Sequence, residues 1–281
     1  MTYTPPVLGK MTDEQFKFLT QYLSSKYGLH ISAEKKVLLE SRLIGRLYAL
    51  NLNSIEEYIE YAFKSPHAHE EYPRFVDQIT THKTFFFREN HQFEFLKTLL
   101  PDYVAKVGSG RPVTLWSAGC STGEEVYTLG MLLNESKTEI PYLDYKIVGT
   151  DISVPSLKKA AKGLFSTELE NIPAHFKIKY FDERVKPTAT YLQFNNKEII
   201  SKIQLGVLNL NNKVYNLSQT FDFIFCRNVT IYFDAKTRKE VLERIVARLR
   251  PGGYLFLGHS ETAMGTTLPI KNIRPTIYKK I

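Results

Sequence analysis

The stretch SAGCSTGEE, from Ser117 to Glu125, carries residues that could serve two incompatible kinds of chemistry. Gly119, Ser121 and Gly123 spell the G-x-S-x-G of a hydrolase's nucleophile elbow, a strained strand-to-helix turn that exposes a serine hydroxyl. Asp222 and His259 follow in the Ser, Asp, His chain order of α/β-hydrolases. In that fold, however, the elbow follows a strand deep in the sheet, whereas VTLWSAG is the first apolar strand of its unit, and no HGG-type oxyanion segment precedes it.

The same small residues, 117 to 123 with Ala118 and Gly119 among them, also let a backbone approach a ligand. The helix behind them would open with free N–H groups. Asp151 ends the next apolar run, YKIVGTD, where a carboxylate accepts hydrogen bonds from both ribose hydroxyls of a nucleoside or, alternatively, caps the following helix. The loop lacks the G-x-G-x-x-G of a dehydrogenase. Glu124 and Glu125 would repel a pyrophosphate but suit an amine or a sulfonium. S-adenosylmethionine carries both cations and no phosphate. Ordinary helix N-terminal stabilisation is the alternative for both, more so for Glu124 than for Glu125.

Two kinds of element must position these residues. From Thr12 to about Ala105 apolar side chains recur at helical spacing (Phe16, Leu19, Leu23; Leu39, Leu43, Leu47; Ile55, Tyr58, Ile59, Ala62), and Thr12 and Ser54 supply helix starts followed by acidic residues. The reading is an all-helical domain with a linker helix over residues 1–105. From 106 to 281 short apolar runs alternate with helical stretches at about 124–134, 154–162 and 235–249, which predicts a doubly wound, Rossmann-like α/β domain around a parallel sheet. Polar and β-prone residues alternate around Pro187 at about 177–203, predicting a small antiparallel β subdomain of two or three strands, either a docking patch or a long connection.

Composition bounds the partners. The 281 residues are 43% hydrophobic and 23% charged, a globular balance. No stretch approaches a membrane span and the start lacks a signal-like segment, so a cytoplasmic protein without membrane insertion is expected. A net charge of +8 points to an anionic partner. No RRM, KH or zinc-finger spacing appears, so an acidic protein surface is preferred to nucleic acid. Cys120 and Cys226 read as small buried hydrophobes, and His67 with His69 lacks a cysteine partner, so no metal site is expected.

THKTFFFREN (81–90), WSAGCSTGEEVYTL (116–129), VGTDIS (148–153), FDFIFCRNVTIYFD (221–234) and PGGYLFLGHSE (251–261) resemble, in order, the motifs of the bacterial chemotaxis receptor methyltransferases of the CheR type. The resemblance runs from about residue 12 to 281. It implies transfer of a methyl group from S-adenosylmethionine to glutamate carboxylates on the cytoplasmic helical bundle of chemoreceptors, giving methyl esters and S-adenosylhomocysteine and tuning chemotactic adaptation. By motif position, His82, Thr84 and Arg88 would lie at the cofactor, with Arg88 at its carboxylate or the incoming glutamate. Glu125 would meet the cofactor's amino-acid end, Asp151 its ribose, and Asn209 with Leu210 its adenine. Arg227 and Asn228 would stand at the next strand mouth, and Tyr232 beside the transferring methyl. The FFF run reads as packing between the two domains.

This sequence departs from the family pattern at His82, where Asn is usual, at Val126, where Pro is usual, and at Thr230, where a bulkier apolar residue is usual. Lys35, Arg42 and Arg46 fall on roughly one helix face that could read acidic receptor helices or simply be solvated. The β subdomain resembles the part that grips a receptor's C-terminal peptide in some members, although its loop, DERVKPTATY, lacks glycine. Rival classes are a serine hydrolase using Ser121 and a non-catalytic signalling adaptor. A nucleic-acid methyltransferase would want an N-P-P-Y-like motif, whereas RNVTIYF has no proline.

Overall fold

The computed structural model describes residues 10–108, 110–167, 172–186 and 189–281; Ser109 of the expected linker and Pro187 of the insertion lie outside the described residues. Helix α1 (Asp13–Tyr27) begins where Thr12 accepts the Gln15 N–H while the Gln15 side chain takes the Thr12 N–H, and it stops at Gly28 in the left-handed region. A single 3-10 turn leads into α2 (Lys36–Leu50), and α3 (Ile55–Ile59) starts at the Ser54 cap. Helix α4 (Ala68–Ile79) closes the bundle. The residues read at helical spacing form its separate core, with Leu19, Leu23, Leu39, Leu43 and Leu47 packed against Phe75 and Val76.

Helix α5 (Asn90–Val107) leads into the α/β part. Its elements follow as β1 (Val113–Ala118), α6 (Glu124–Ser136), β2 (Tyr145–Asp151), α7 (Val154–Lys162), β3 (Leu164–Ser166), α8 (Ala174–Tyr180), β4 (Phe181–Lys186), β5 (Ala189–Phe194), α9 (Lys197–Lys202), β6 (Ile203–Val207), β7 (Phe221–Cys226), α10 (Ala235–Arg248), β8 (Leu249–Leu257), β9 (Ile270–Arg274) and β10 (Ile277–Lys280). Seven strands form one sheet in the order β6-β2-β1-β7-β8-β10-β9. Pairing from β6 through β8 is parallel. β10 runs antiparallel to β8 and β9, so the sheet is mixed where the sequence predicts only parallel strands.

Successive side chains of one strand serve opposite faces. Phe223 and Phe225 join the core under α5 and α6, while Ile224 joins Trp116 and Leu255 under α10. The helices therefore cover both faces. Because β1 lies between β2 and β7, the winding reverses there, and such a reversal opens a crevice at the strands' carboxyl ends.

The second sheet has order β3-β5-β4 and is antiparallel. Its extent differs from the sequence reading: it recruits residues 164–166, and much of 174–180 and 197–202 is helical. The FFF run also packs elsewhere than expected. Phe86 meets Phe165 and Phe181 of this small sheet and Phe87 meets Phe93 and Phe176, all within the α/β core, while Phe85 faces the crevice.

Candidate functional site

One cleft of about 1200 Å³, including its open mouth, lies where the winding reverses. On one side Gly119, Cys120 and Ser121 follow β1, and Asp151 ends β2. Facing them are Arg227 to Val229 after β7, with Tyr232 and Phe233 beyond. Residues 79–85 and Arg88 cover the top. Gly119, at φ 91, is required by proximity as well as by its dihedral: a Cβ there would stand 2.4 Å from Val229 Cγ2.

Asp151 is buried at the cleft floor. Its Oδ2 accepts the Ser121 N–H at 2.8 Å and its Oδ1 the Ser153 N–H at 2.8 Å. Burial pushes its carboxyl above the ordinary range against the pull of those two N–H groups. A carboxylate offers about four lone-pair sites, so two remain for hydroxyl donors. Glu125, on the first turn of α6, accepts the Ser117 hydroxyl at 2.6 Å, and its Oε2 lies 3.1 Å from Arg227 Nε, which is close but outside hydrogen-bond geometry. Burial raises Glu125 too, and Arg227 only partly offsets this. A buried and a half-buried carboxylate with residual affinity for positive or hydroxyl-bearing groups fit an adenosyl cofactor that has an ammonium and a ribose.

Of the residues the sequence singles out for the cofactor, His82, Thr84, Arg88, Gly119, Glu125, Asp151, Asn209, Leu210, Arg227, Asn228 and Tyr232 line this cleft. Ala118 does not; it is buried in β1. The Asn209 side chain is already engaged, donating to Lys26 O at 2.8 Å and accepting the Asn211 N–H at 2.9 Å. Both ring nitrogens of His82 are engaged, with Nε2 2.9 Å from Thr80 Oγ1 and 2.8 Å from Asp77 O, and Nδ1 3.2 Å from Ser156 Oγ. It thereby ties α4 to α7. Val126 is fully buried beneath Gly149, where it meets the Cβ position at 2.9 Å. Arg88 donates to Lys83 O at 3.0 Å and rests over the Phe85 ring.

The hydrolase reading fails on geometry. Ser121 Oγ faces His82 O at 3.4 Å, Asp222 is bound by Arg111 at the opposite end of the sheet, and His259 Nδ1 lies 3.1 Å from Glu89. These three residues do not meet. Among the described residues no group could hold a metal ion and no helix is long and apolar enough to cross a membrane.

Two of the three basic residues expected to read a receptor have partners within the chain. Arg46 makes a paired contact at 2.8 and 2.7 Å with Glu71, a fully buried carboxylate that also accepts the Tyr58 hydroxyl. Arg42 donates to Ile79 O and Thr81 Oγ1. Lys35 is exposed. Helical spacing identifies residues that share a face, but on this one Arg42 and Arg46 reach α4.

Tyr27, Leu29, His30 and Ile31 also line the cleft and have no warning in the sequence. Tyr27 ends α1, and the residues after Gly28 are also pinned from far along the chain: His30 N–H donates to Tyr232 O at 2.8 Å, and Leu29 bridges Phe233.

With this geometry in place, comparison with known proteins gives one answer. Residues 14–80 match the family model described as "CheR methyltransferase, all-alpha domain", and residues 82–278 match "CheR methyltransferase, SAM binding domain". A "Chemotaxis protein methyltransferase" of Borreliella burgdorferi is 35% identical over 96% of this chain and 95% of its own. "Chemotaxis protein methyltransferase 2" of Pseudomonas aeruginosa is 35% identical over 99% and 98%. The Escherichia coli "Chemotaxis protein methyltransferase" is 34% identical over 89% and 85%.

Proposed function

Because this chain belongs to the CheR family and is an S-adenosylmethionine-dependent methyltransferase, we propose that it methylates glutamate side chains on the cytoplasmic helical bundle of chemoreceptors. The observation that carries this reading is the division of charge in the cleft. Buried Asp151 and half-buried Glu125 form the floor, while Arg88 and exposed Lys83 stand at the lip. A cationic cofactor suits the first and an anionic acceptor the second.

When bound, S-adenosylmethionine supplies a methyl group activated by positive sulfur, which a carboxylate takes up as a methyl ester, leaving S-adenosylhomocysteine. Glutamate is already ionised at neutral pH, so this chain need not move a proton. Its residues have to align, and alignment alone carries a large share of such a barrier. In this reading Asp151 holds ribose hydroxyls, Glu125 the ammonium end, and Leu210 with the Asn209 backbone flanks the base. Arg88 holds the acceptor carboxylate through paired N–H bonds, as lysine cannot. The Tyr232 hydroxyl orients the same acceptor.

The reading extends to the surface. Exposed Lys35, beside exposed Val37 and Leu38 on α2, would meet the acidic receptor helix. Strand β4 is an outer strand of the small sheet, with Asp182 to Val185 exposed, and its free edge would take a receptor's C-terminal peptide by strand addition. These roles belong to a cytoplasmic enzyme.

The test is incubation with methyl-labelled S-adenosylmethionine and a chemoreceptor cytoplasmic fragment. Label released as methanol in mild alkali, and lost when the modified glutamates are replaced by alanine, is expected. Alkali-stable label would place the methyl group on nitrogen and sink the reading.

A further inference from the structure

Glu261 lies outside the cleft lining, yet its carboxylate is buried beneath the segment that forms one wall of it. Oε1 accepts the Val229 N–H at 2.9 Å, the Thr230 N–H at 2.6 Å and the Thr230 hydroxyl at 2.9 Å. Oε2 accepts the Asn228 N–H at 2.8 Å and the Gly258 N–H at 2.7 Å. All five partners are uncharged. Three of them are consecutive backbone N–H groups opening the 3-10 turn Thr230–Tyr232, donors that the turn itself leaves unsatisfied. A carboxylate is the side chain that can accept from all of them at once.

The anchored backbone is under constraint. Asn228 sits at φ 59, a left-handed conformation that a side-chain-bearing residue keeps only when its surroundings enforce it. Gly258 leaves the space the carboxylate uses, since a Cβ there would lie 2.6 Å from Asn228 Nδ2 and 2.8 Å from Glu261 Oε2. Val229, held in this way, packs onto the Cβ position of Gly119 in the opposite wall. The turn ends at Tyr232, whose carbonyl accepts the His30 N–H from the helical domain. One buried carboxylate thus fixes the separation of the two cleft walls and the origin of the turn bearing Tyr232. The Thr230 hydroxyl supplies one of the five bonds.

We propose that Glu261 is a positioning residue for methyl transfer, setting the Arg227 to Tyr232 segment against Gly119 and so the geometry in which cofactor and acceptor meet. This rests on reading the cleft as the site of both. Glu261→Gln replaces an acceptor oxygen with an amide that faces N–H donors, so the segment must shift. The affinity of the folded variant for S-adenosylhomocysteine is expected to fall by about tenfold, and turnover per binding site on the receptor fragment by about thirtyfold to a hundredfold. Thr230→Val, which removes a single donor, should cost about threefold in each.

Calorimetric titration of wild type and both variants gives the dissociation constant and the stoichiometry separately. A purely structural role would lower stoichiometry and thermal midpoint while leaving the dissociation constant and turnover per site at wild-type values, and that result would overturn the proposal. If Glu261→Gln does not fold, wild-type constants in Thr230→Val overturn it instead. Wild type that fails to bind S-adenosylhomocysteine would take down the cofactor reading and this inference together. Wild type that binds but leaves the receptor fragment unmethylated would remove the substrate reading alone, and the binding arm would still decide.

Discussion

Two buried aspartates mark the two ends of the sheet, Asp222 near the start of β7 and Asp151 at the end of β2. Asp222 at the amino end accepts two bonds from Arg111 at 2.7 Å, the Tyr103 hydroxyl at 2.7 Å, and the Thr114 N–H and hydroxyl at 2.8 and 3.0 Å. Burial pushes its carboxyl up, but Arg111, Thr114 and Tyr103 together pull it below the ordinary value. Asp151 at the carboxyl end has two backbone N–H donors and stays above the ordinary value. A saturated carboxylate holds a structure together, whereas an undersupplied one has capacity left for a ligand. The difference separates stability from binding along a single sheet.

The sharpest way to break this comparison is Asp222→Ala. It strands Arg111, Tyr103 and the Thr114 N–H, although Arg111 and Arg250, whose Nε lies 3.6 Å from Asp222 Oδ1, both reach solvent and can rehydrate, so a loss of about 3 kcal/mol in unfolding free energy is expected. Denaturant titration measures it. The dissociation constant for S-adenosylhomocysteine should remain within about twofold of wild type, because Asp222 lies at the far end of the strands. A large loss of binding without loss of stability would reverse the assignment of the two ends.

Asp151→Ala is the complementary change, with an expected loss of about 2 kcal/mol in cofactor binding, roughly thirtyfold in the dissociation constant. Its effect on stability should be small, since removing an undersupplied buried carboxylate also removes its desolvation cost. Calorimetry and thermal unfolding on the same sample separate the two effects. Unchanged affinity would remove Asp151 from the cofactor site.

How far the sequence foretold this division follows from the range of each signal. The five parallel strands and the starts of α1 and α3 were legible because apolar runs and caps act within a few residues. The β9–β10 hairpin was not, since β9 is almost wholly exposed and mixes Lys271, Asn272 and Arg274 without alternation. β3 is three residues long, too short to carry a period. Gly119 and Glu125 were legible because loop and helix start are adjacent in the chain, and Asp151 because it ends the next apolar run. Leu29 and His30 pair at the cleft with Phe233 and Tyr232, some 200 residues away, and the Arg46–Glu71 pair was not legible because spacing does not say which neighbour a helix face meets. Asp222 entered only as a hydrolase partner, since nothing local distinguishes a saturated carboxylate from a free one.

The smallest expected effect tests the electrostatic half of the comparison. Without ligand, Asp151 and Glu125 hold their protons to higher pH than the ordinary 3.8 and 4.5. An ammonium at Glu125 and hydroxyl donors at Asp151 favour the ionised forms, so binding should release protons and weaken as pH falls through the range just above those values, by at most about tenfold per pH unit for each group. Folding carries the opposite sign at this end of the sheet. A raised carboxylate binds more protons in the native state than in the unfolded chain, so its contribution to stability declines as pH rises through that window. Asp222, with its value depressed, contributes stability above the ordinary 3.8 that is lost as pH falls through its lower folded value. Titrating S-adenosylhomocysteine affinity and unfolding free energy over one pH series should therefore show the two ends moving apart. An affinity that is flat across the window would mean that the floor carboxylates are ionised before ligand arrives, and that Arg227 or the backbone donors supply more compensation than burial removes.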